Sequence, residues 1–305
     1  MNLAVLIATK DRYSQLLKLF ESISASSFLP TKVVVVYSGE DITSLATSFR
    51  EKLNIEVIYS EIANQSAQKL IGIKSLENKY EWVFFLDDDL LLETDTIKVV
   101  FDEYLTNPSY EKYSGFGLGI LNRSRRNISF VTSRLLKLFH LYSDTPGAIT
   151  KSGHAQSYLD YPTEIEVQWL NGISVWRSNV LSYYPAVLTN IPYSAYEDVE
   201  FSYKVAKSSK LLYAPKARVV NQSPEGNSPL TINQFVYGGY LRYRFVFNNT
   251  ELSRWRLLSA QFFRGLDFVF RQNGSSKFTH RVRVALKLWV KLLILMIKNR
   301  NIYEV

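Results

Sequence analysis

Four short aliphatic runs, separated by segments of helical periodicity, constrain the fold of this chain more than any other feature of its sequence. Such runs are typical of parallel strands buried on both faces; they are LAVLIA (3–8), KVVVVY (32–37), IEVIY (55–59) and WVFFL (82–86). Between them, apolar residues recur three and four positions apart, as on one face of a helix; they are Leu16, Leu17, Leu19, Phe20 and Ile23, then Leu45, Phe49 and Leu53, then Leu70, Ile73 and Leu76. This βαβαβαβ order predicts an α/β fold built on a doubly wound, mostly parallel sheet.

The composition narrows the class of protein and its partners. With 305 residues, of which 47% are hydrophobic, the chain can bury a full core as one large domain or as a domain with an appendage. The sequence has no cysteine, which excludes disulfides, thiolate metal sites and a cysteine nucleophile. Its net charge of +8 favours an anionic partner, which leaves nucleic acid, a phosphate-rich substrate and a membrane surface open. The opening residues MNLAVLIATKDR lack the basic region and the cleavage site of a signal peptide, so we expect a cytoplasmic protein.

Three consecutive aspartates, Asp87, Asp88 and Asp89, follow the fourth aliphatic run. Doubly wound sheets bind their ligands outside the carboxyl ends of the strands, which is where this triplet lies. If the chain stays extended, Asp87 and Asp89 point to one side and Asp88 points to the other. Two such carboxylates favour a hard divalent cation such as Mg²⁺ or Mn²⁺. The alternative is a solvated acidic turn in which Asp89 caps a helix that begins near Leu91.

A second acidic group, Glu197, Asp198 and Glu200, stands in the segment YEDVEFSYKVAKSSKLLYAP. The apolar spacing after Tyr196 predicts a helix whose first turn holds Glu197 and Asp198, where the helix dipole favours negative charge. Taken alone, these residues are explained as acids at the start of a helix.

Taken in order, six segments resemble the family 2 glycosyltransferases, which are inverting enzymes of the GT-A fold that use a nucleotide-diphosphate sugar. The segments are LAVLIATKDR for the opening strand and nucleotide-binding loop, NQSAQKLIGI (64–73), VFFLDDDLLL for the DxD metal motif, VQWLNGISVWRSNVL (167–181) for the acceptor side, YEDVEFSYKVAKSSKLLYAP for the catalytic ED helix, and YLRYRFVFNN (240–249). The resemblance extends from residue 1 to about residue 248, and the order of the segments carries it.

The resemblance implies a set of site residues. Asp89 is expected to ligate a divalent cation, Mn²⁺ or Mg²⁺, directly, with Asp87 near the ribose or joined to the ion through water. Asp198 matches the family's general base, on the face of the sugar opposite the leaving group, and Glu197 would orient its helix or contact the acceptor. The other donor-side positions are Thr9, Asp11, Arg12, Ser38, Lys69 and Asp88, and the acceptor floor is Trp169, Asn171 and Gly172.

Several of these positions depart from the family's pattern or have a simpler explanation. Ser38 stands where a base-reading aspartate is expected, which weakens the expectation of uracil recognition and keeps thymidine and guanosine carriers open. The donor nucleotide is expected to be UDP, dTDP or GDP. Lys69 replaces the usual arginine, so the charge is kept but the bidentate contact with phosphate is lost. Asn221 and Gln222 stand where many members supply a histidine to the metal, so either an amide or water is expected there. Trp169 has the alternative of a core residue.

The resemblance also predicts how the chain is organised. We expect a GT-A catalytic domain at 1–248, with a nucleotide-binding half at 1–120 and an acceptor and catalytic half at 121–248. A basic amphipathic helical extension follows at 249–305.

The extension offers two interpretations. Its basic residues Arg283, Lys287, Lys291 and Lys298 fall on one helical face among apolar residues. The apolar run at 292–297 is far shorter than the roughly 20 residues that cross a bilayer, so the helix is expected to lie in the membrane interface. One interpretation is peripheral docking on the inner face of the cell membrane; the other is a homo-oligomer interface or a helical cap on the catalytic core.

The predicted activity is transfer of a sugar, hexosyl or deoxyhexosyl, to a hydroxyl of a glycan or a lipid-linked acceptor. The resemblance alone suggests a bacterial enzyme of surface polysaccharide synthesis. Two other classes stay open: a catalytically inactive protein that binds sugar or nucleotide, and a nucleic-acid-binding protein. We expect no nucleic acid partner, because the basic residues are spread out and no recognised motif accompanies them.

Overall fold

The computed structural model of the protein describes residues 2–76, 79–122, 130–185, 196–222, 231–270 and 277–301, with residues 130–133 described by their backbone alone. The chain divides into two compact units. The first comprises Met1–Ser124 and Tyr158–Glu225, and the second comprises Arg125–Ser157 and Gly226–Val305. Neither unit ends at the predicted boundary after residue 248, and the division into 1–248 and 249–305 stays a prediction.

In the described part of the chain, nine strands form one sheet in the first unit. They are β1 (Leu3–Lys10), β2 (Lys32–Ser38), β3 (Ile55–Tyr59), β4 (Trp82–Asp87), β5 (Leu90–Leu92), β6 (Tyr113–Ile120), β7 (Ile165–Val167), β8 (Ser174–Arg177) and β9 (Lys210–Asn221). The order is β3-β2-β1-β4-β8-β6-β9-β5, with β7 also paired to β9. The first four strands pair in parallel, as predicted, whereas β8 runs antiparallel to both β4 and β6. The sheet is therefore parallel from β3 to β4 and mixed beyond β4.

Helices cover the sheet and build the second unit. They are α1 (Tyr13–Ser24), α2 (Thr43–Ser48), α3 (Gln65–Leu76), α4 (Thr96–Val99), α5 (Phe130–Leu138), α6 (Glu197–Ala206), α7 (Ile232–Phe247), α8 (Arg254–Phe270) and α9 (Phe278–Ile297). Helix α4 continues as a π-helical turn at Val100–Leu105, and 3₁₀ turns lie at Pro108–Tyr110 and Ser178–Tyr183. Helices α5, α7, α8 and α9 belong to the second unit.

The predicted doubly wound arrangement is confirmed by the burial of β1 on both faces. Because side chains alternate along a strand, Leu3, Val5 and Ile7 pack on one face, in the cluster that contains α1 and α2. Ala4 and Leu6 pack on the other face, in the cluster that contains α3 and α6. An uninterrupted aliphatic run is what such a central strand requires.

The aspartate triplet, Asp87, Asp88 and Asp89, lies between β4 and β5. The alternative in which Asp89 caps a helix near Leu91 is wrong, since residues 90–92 form β5 and pair antiparallel with β9. Asp88 is 5% exposed, whereas the side chains of Asp87 and Asp89 are 32% and 29% exposed. The triplet therefore presents two carboxylates outward and buries the third.

The second unit contains a pair of antiparallel helices, α8 and α9. Their direction follows from three contacts: Arg254 with Asn299, Trp289 with Leu258, and the ring of Phe270 with that of Phe278. Within the described residues, none of the helices combines the length and the apolar character that a membrane span requires.

Candidate active site

A cleft of about 450 Å³ opens at the carboxyl ends of β1 and β4. These strands are parallel neighbours, so their carboxyl ends meet at the same edge of the sheet. The cleft is lined by Ala8, Thr9, Lys10, Arg12, Ala63, Gln65, Gln68, Asp87, Asp88 and Asp89. The predicted nucleotide-binding loop and the aspartate triplet are thus brought together.

Asp88 anchors the loop that follows β1. Thr9 Oγ1 donates to Asp88 Oδ2 over 2.7 Å, and Arg12 Nη1 donates to Asp88 Oδ1 over 2.7 Å. Burial raises the pKa of Asp88, although the hydrogen bond from Thr9 and the charge of Arg12 act against that rise. Arg12 Nη1 also lies 3.2 Å from Asp89 Oδ2, so one guanidinium spans both carboxylates. Asp88 therefore holds Arg12 over the triplet, while its own contact with a donor stays a prediction.

Helix α3 supplies the groups that face Asp87. Asn64 Oδ1 accepts from the backbone amides of Ser66 and Ala67, which caps the start of the helix. Residues four apart share a helix face, which brings Gln65 and Lys69 toward the same strand end. Gln65 Nε2 donates to Asp87 Oδ1 over 2.9 Å.

Lys69 lies between the two acidic groups that the sequence keeps 110 positions apart (Asp87 and Glu197). Its Nζ is 4.0 Å from Asp87 Oδ1 and 3.9 Å from Glu197 Oε1, and the residue is 2% exposed. A buried ammonium is tolerated where opposite charges surround it. Lys69, which the resemblance predicts to contact the sugar donor, thus connects the end of β4 to the start of α6.

The start of α6 places Asp198 in a small pocket beside that lysine. The pocket is lined by Lys69, Phe85, Leu170, Asn171, Gly172, Ser174, Trp176, Tyr184, Glu197, Asp198 and Phe201. Part of Asp198 stays accessible, but protein atoms surround its carboxylate densely. This burial, followed by the charge of Glu197, raises the pKa of Asp198 to about 7, while Lys69 and the Val199 amide act to lower it. An aspartate in this state exchanges a proton near neutral pH.

The predicted acceptor floor, around Asn171 and Gly172, is hydrogen-bonded to α6 through Leu170 and lies against the triplet. The Ser202 hydroxyl accepts from the backbone amide of Leu170 over 2.9 Å. The backbone amide of Asn171 donates to the Tyr158 hydroxyl over 2.8 Å. A Cβ atom on Gly172 would lie 3.2 Å from Asp87 Oδ2, so a larger residue there would crowd the triplet.

Trp169 packs against the ring of Tyr158, with centroids 5.2 Å apart and an edge-on geometry. It is partly buried against the apolar cluster on the α3 and α6 side of the sheet. Part of the Trp169 side chain is therefore explained by packing in the core. A contact between its remaining surface and an acceptor stays a prediction.

Two predicted donor-side residues, Ser38 and Asp11, make contacts within the protein. Ser38 is 3% exposed, and its hydroxyl donates to the carbonyl of Ser60. Gln68 Nε2 donates to Ser38 Oγ and to the carbonyl of Thr9, which ties the ends of β1 and β2 together. Asp11 Oδ1 accepts from the backbone amide of Glu40 over 3.0 Å. Direct contacts of Ser38 and Asp11 with a nucleotide stay predictions.

Gln222, considered above as a replacement for a metal-bound histidine, is held by the backbone. Its Nε2 donates to the carbonyls of Gln15 and Leu90, and its backbone amide donates to the carbonyl of Asp89. The side chain thereby fixes the strand that follows the triplet against α1.

The two partly exposed carboxylates of the triplet fit a hard divalent cation that takes its remaining ligands from phosphate and water. Across the described residues, histidine, cysteine, aspartate and glutamate form no group of three or more that could hold a metal. Mg²⁺ characteristically uses one or two carboxylates together with substrate phosphates and water, and does not need a full protein cage. Asp87 and Asp89, both partly exposed in the cleft, supply that number of carboxylates.

Sequence reasoning missed Gln65, Gln68 and Tyr184. The two glutamines lie three apart in the quoted segment NQSAQ, and this spacing at a helix start was the available signal. Tyr184 carries no signal in the sequence. Burial, followed by the charge of Glu197, raises the pKa of Tyr184 well above its ordinary value, so it is a neutral hydroxyl beside the acids.

Comparison with solved structures identifies the fold. Staphylococcus aureus TarS residues 1–349 are 18% identical, with a TM-score of 0.58, and the match covers 96% of this chain and 81% of that one. The mannosyltransferase PcManGT from Pyrobaculum calidifontis, solved with GDP-Man and Mn²⁺, is 13% identical, with a TM-score of 0.55 and coverage of 98% and 86%. GalNAc-T7, solved with UDP, GalNAc and Mn²⁺, is 12% identical, with a TM-score of 0.54 and coverage of 99% and 58%. The chain therefore has the GT-A fold of the nucleotide-sugar glycosyltransferases.

Residues 4–149 match the family described as glycosyl transferase family 2. This is the family that the order of the sequence motifs predicted. No curated protein matches the chain.

Proposed function

We propose that the protein is an inverting, metal-dependent glycosyltransferase. It moves a hexosyl or deoxyhexosyl group from a nucleotide-diphosphate donor to a hydroxyl of a glycan or lipid-linked acceptor. The observation that carries the proposal is a partly buried carboxylate, Asp198, whose pKa burial raises to about 7 and which shares a pocket with Lys69. Lys69 in turn lies between Glu197 and Asp87, at the acidic edge of a nucleotide-sized cleft.

Asp198 is the general base in this proposal. A hydroxyl becomes a competent nucleophile when a base removes its proton as the new bond forms, and the base works best when its pKa lies near the operating pH. As the acceptor oxygen bonds to the anomeric carbon, its proton passes to the Asp198 carboxylate and the bond to the diphosphate breaks. Attack from the side opposite the leaving group inverts the anomeric centre.

Asp89 and Asp87 would hold the divalent cation, Mn²⁺ or Mg²⁺. When bound, such an ion neutralises the negative charge that gathers on the departing diphosphate. Arg12 contributes positive charge at the same edge of the cleft, and Asp88 fixes its position. Two proteins of similar fold were solved with Mn²⁺, PcManGT together with GDP-Man and GalNAc-T7 together with UDP and GalNAc.

Lys69 and Glu197 support the base. Lys69 places a positive charge beside both Glu197 and Asp87, so it offsets the negative charge that these two acids bring close to the base. Glu197 adjoins Asp198 in the first turn of α6, where it orients the base or contacts the acceptor. Asn171, Gly172 and Trp169 form the acceptor side.

The donor nucleotide is proposed to be UDP, dTDP or GDP, and the product to enter a bacterial surface polysaccharide. A TarS structure was solved with UDP-GlcNAc and the PcManGT structure with GDP-Man, so the GT-A fold accommodates both purine and pyrimidine carriers. We place the enzyme on the cytoplasmic side of the cell membrane.

Asp198→Asn tests the proposal, because the amide keeps the shape of the side chain and removes its basicity. Transfer should fall by roughly 100-fold to 10,000-fold, the usual contribution of a general base, while donor binding is retained. Glu200→Gln is the matched control, since it makes the same chemical change in the same helical turn. Release of nucleoside diphosphate reports turnover, and calorimetry with the donor reports binding.

Three results would contradict the proposal. Normal turnover by Asp198→Asn would remove Asp198 as base, and loss of donor binding in the same variant would make its role structural. A wild-type protein that binds nucleotide sugar yet transfers to none of the glycan, lipid-linked and water acceptors tested would be a binding protein.

A further inference from the structure

The positive charge of this protein is concentrated at one end of the sequence. Residues 249–305 contain 11 basic and three acidic residues, so their formal charge of +8 equals that of the whole chain. Residues 1–248 contain 25 residues of each sign and are neutral overall. Any anionic partner that the net charge implies should therefore contact this end of the sequence.

Helix α9 is apolar on two opposite sides. One side packs into the second unit through Arg281, Leu288, Leu292 and Leu295. At 100° per residue, the opposite side carries an outward stripe of large apolar residues. It consists of Leu286, Val290, Ile294 and Ile297, which are 54%, 45%, 45% and 70% exposed. Exposed apolar residues at this regular spacing indicate a surface for a partner.

Basic residues border this outward stripe: Lys287 and Lys298 lie along one edge, and Arg283 lies between Val290 and Ile294 in helical angle. We call these three residues the basic edge. Arg283, Lys287 and Lys298 are exposed, and their helical angles lie next to those of the apolar residues. Helix α9 contains no acidic residue. An apolar stripe bordered by Lys and Arg is the pattern of helices that lie flat in a lipid interface.

Helix α8 extends the apolar surface. Its outward residues Trp255, Phe262, Leu266 and Phe270 also lie on one side of the helix, with Trp255 and Phe270 68% and 67% exposed. Phe262 contacts Trp289 of α9, with ring centroids 5.9 Å apart. Phe270 contacts Phe278, which begins α9 and is 51% exposed. These contacts join the exposed residues of α8 to the side of α9 next to its outward stripe. We call the exposed apolar residues of the two helices together the α8–α9 face.

We propose that the α8–α9 face docks on an anionic lipid surface, with both helices parallel to the membrane plane. The apolar stripes enter the boundary between headgroups and acyl chains, and Arg283, Lys287 and Lys298 contact the anionic headgroups. The aromatic residues at the helix ends, Trp255 and Phe270, suit that boundary as well. The inference uses no residue of the candidate active site and stands whether or not the proposed transfer takes place.

A second copy of this chain fits the face less well than lipid does. A two-fold contact between two α8–α9 faces brings the two basic edges together when its axis crosses the helices, and in either orientation α9 of the other copy offers those edges no carboxylate. Like charges in such a contact oppose association, whereas an anionic surface attracts them. The charge pattern therefore selects lipid.

Vesicle flotation tests the two features of the face separately in the full-length protein. Arg283→Glu, Lys287→Glu and Lys298→Glu, combined, reverse the basic edge. Arg50→Glu, Lys18→Glu and Lys98→Glu, combined, are the matched control, because they make the same charge change at exposed positions of the first unit. Leu286→Ser, Val290→Ser and Ile294→Ser, combined, remove the apolar stripe from exposed positions, so the fold should be retained.

Wild type and the control should float with phosphatidylcholine vesicles that contain phosphatidylglycerol. The basic-edge variant should bind on the order of 100-fold more weakly, and the apolar variant roughly tenfold or more weakly. Equal binding to vesicles of phosphatidylcholine alone would overturn the anionic part of the proposal. No binding by wild type, together with a dimer in sedimentation that the apolar variant abolishes, would assign the face to a second copy.

Discussion

At the residue scale, the clearest feature is that the acids of the candidate site have different environments. Asp88 is held by Thr9 and Arg12 at the edge of the sheet, whereas Asp198 is surrounded by protein atoms beside Glu197. The pKa of Asp198 rises from an ordinary 3.8 to about 7, so the folded state binds a proton between those values that the unfolded chain releases. Ionising Asp198 therefore costs stability as the pH rises through this range. The same rise in pKa gives the site a carboxylate that can accept a proton near neutral pH, which is typical of catalytic bases.

The pH dependence of transfer tests this assignment. A base must be ionised to act, so kcat/KM should fall as the pH drops below about 7. Glu197→Gln removes a like charge and should move this midpoint down, whereas Lys69→Met removes an opposite charge and should move it up. Asp87 and Tyr184 also face this region, and both stay unchanged in these variants. A profile that is flat across the midpoint in wild type would contradict Asp198 as base.

At the element scale, close packing of α7 against α8 and α9 depends on one of its two adjacent glycines. A Cβ atom on Gly239 would lie 2.8 Å from Leu288 Cδ2 and 3.4 Å from Gln261 Nε2. A Cβ atom on Gly238 would meet nothing within 4 Å. The two positions share a helix and differ in what they face, so they separate helix propensity from packing.

Gly238→Ala and Gly239→Ala should change stability in opposite directions. Alanine at 238 should raise the free energy of unfolding by about 0.5 to 1 kcal/mol, because a glycine in a helix loses more backbone entropy on folding. Alanine at 239 should lower it by about 1 to 3 kcal/mol, because the buried Leu288 must move. Urea unfolding of the two variants beside wild type measures both effects. A gain in stability at both positions would show that α7 does not pack closely at Gly239.

At the scale of the whole molecule, charge and chemistry are separated along the sequence. The candidate site lies in the first unit, whereas the excess positive charge lies in residues 249–305. The +8 charge is therefore not a property of the cleft at the aspartate triplet, and it does not measure the affinity of that cleft for phosphate. Binding of nucleotide and binding of an anionic surface should respond to different variants.

Nucleotide and cation together should stabilise the protein against heat. A ligand that binds only the folded state adds about 2.7 kcal/mol when its concentration is roughly 100-fold above its Kd. UDP, dTDP and GDP, each with and without Mn²⁺, should be compared by thermal unfolding, and the matching nucleotide should raise Tm further when Mn²⁺ is present. Asp87→Asn combined with Asp89→Asn should remove the part that depends on Mn²⁺. An unchanged Mn²⁺ effect in that variant would place the ion elsewhere.

The sequence by itself determined the elements and the positions of the acids. Aliphatic runs predicted β1 to β4, because a strand buried on both faces must be apolar throughout. The spacing of apolar residues predicted α1, α3 and α6, because only one face of each helix packs on the sheet. The second helical segment proved shorter, since α2 ends at Ser48 and the chain turns before β3. The order of motifs also predicted the family that residues 4–149 match.

Only the tertiary structure decided which side chains meet. Gly172 lies against Asp87, because β8 inserts beside β4 and the segment before β8 reaches the triplet. Lys69 on α3 lies between Asp87 and Glu197 on α6, because both helices pack on the same face of the sheet. Tyr184 reaches the same pocket from a 3₁₀ turn that has no local signal. Contacts across a hundred positions depend on strand order, and local patterns of apolar and polar residues do not encode strand order.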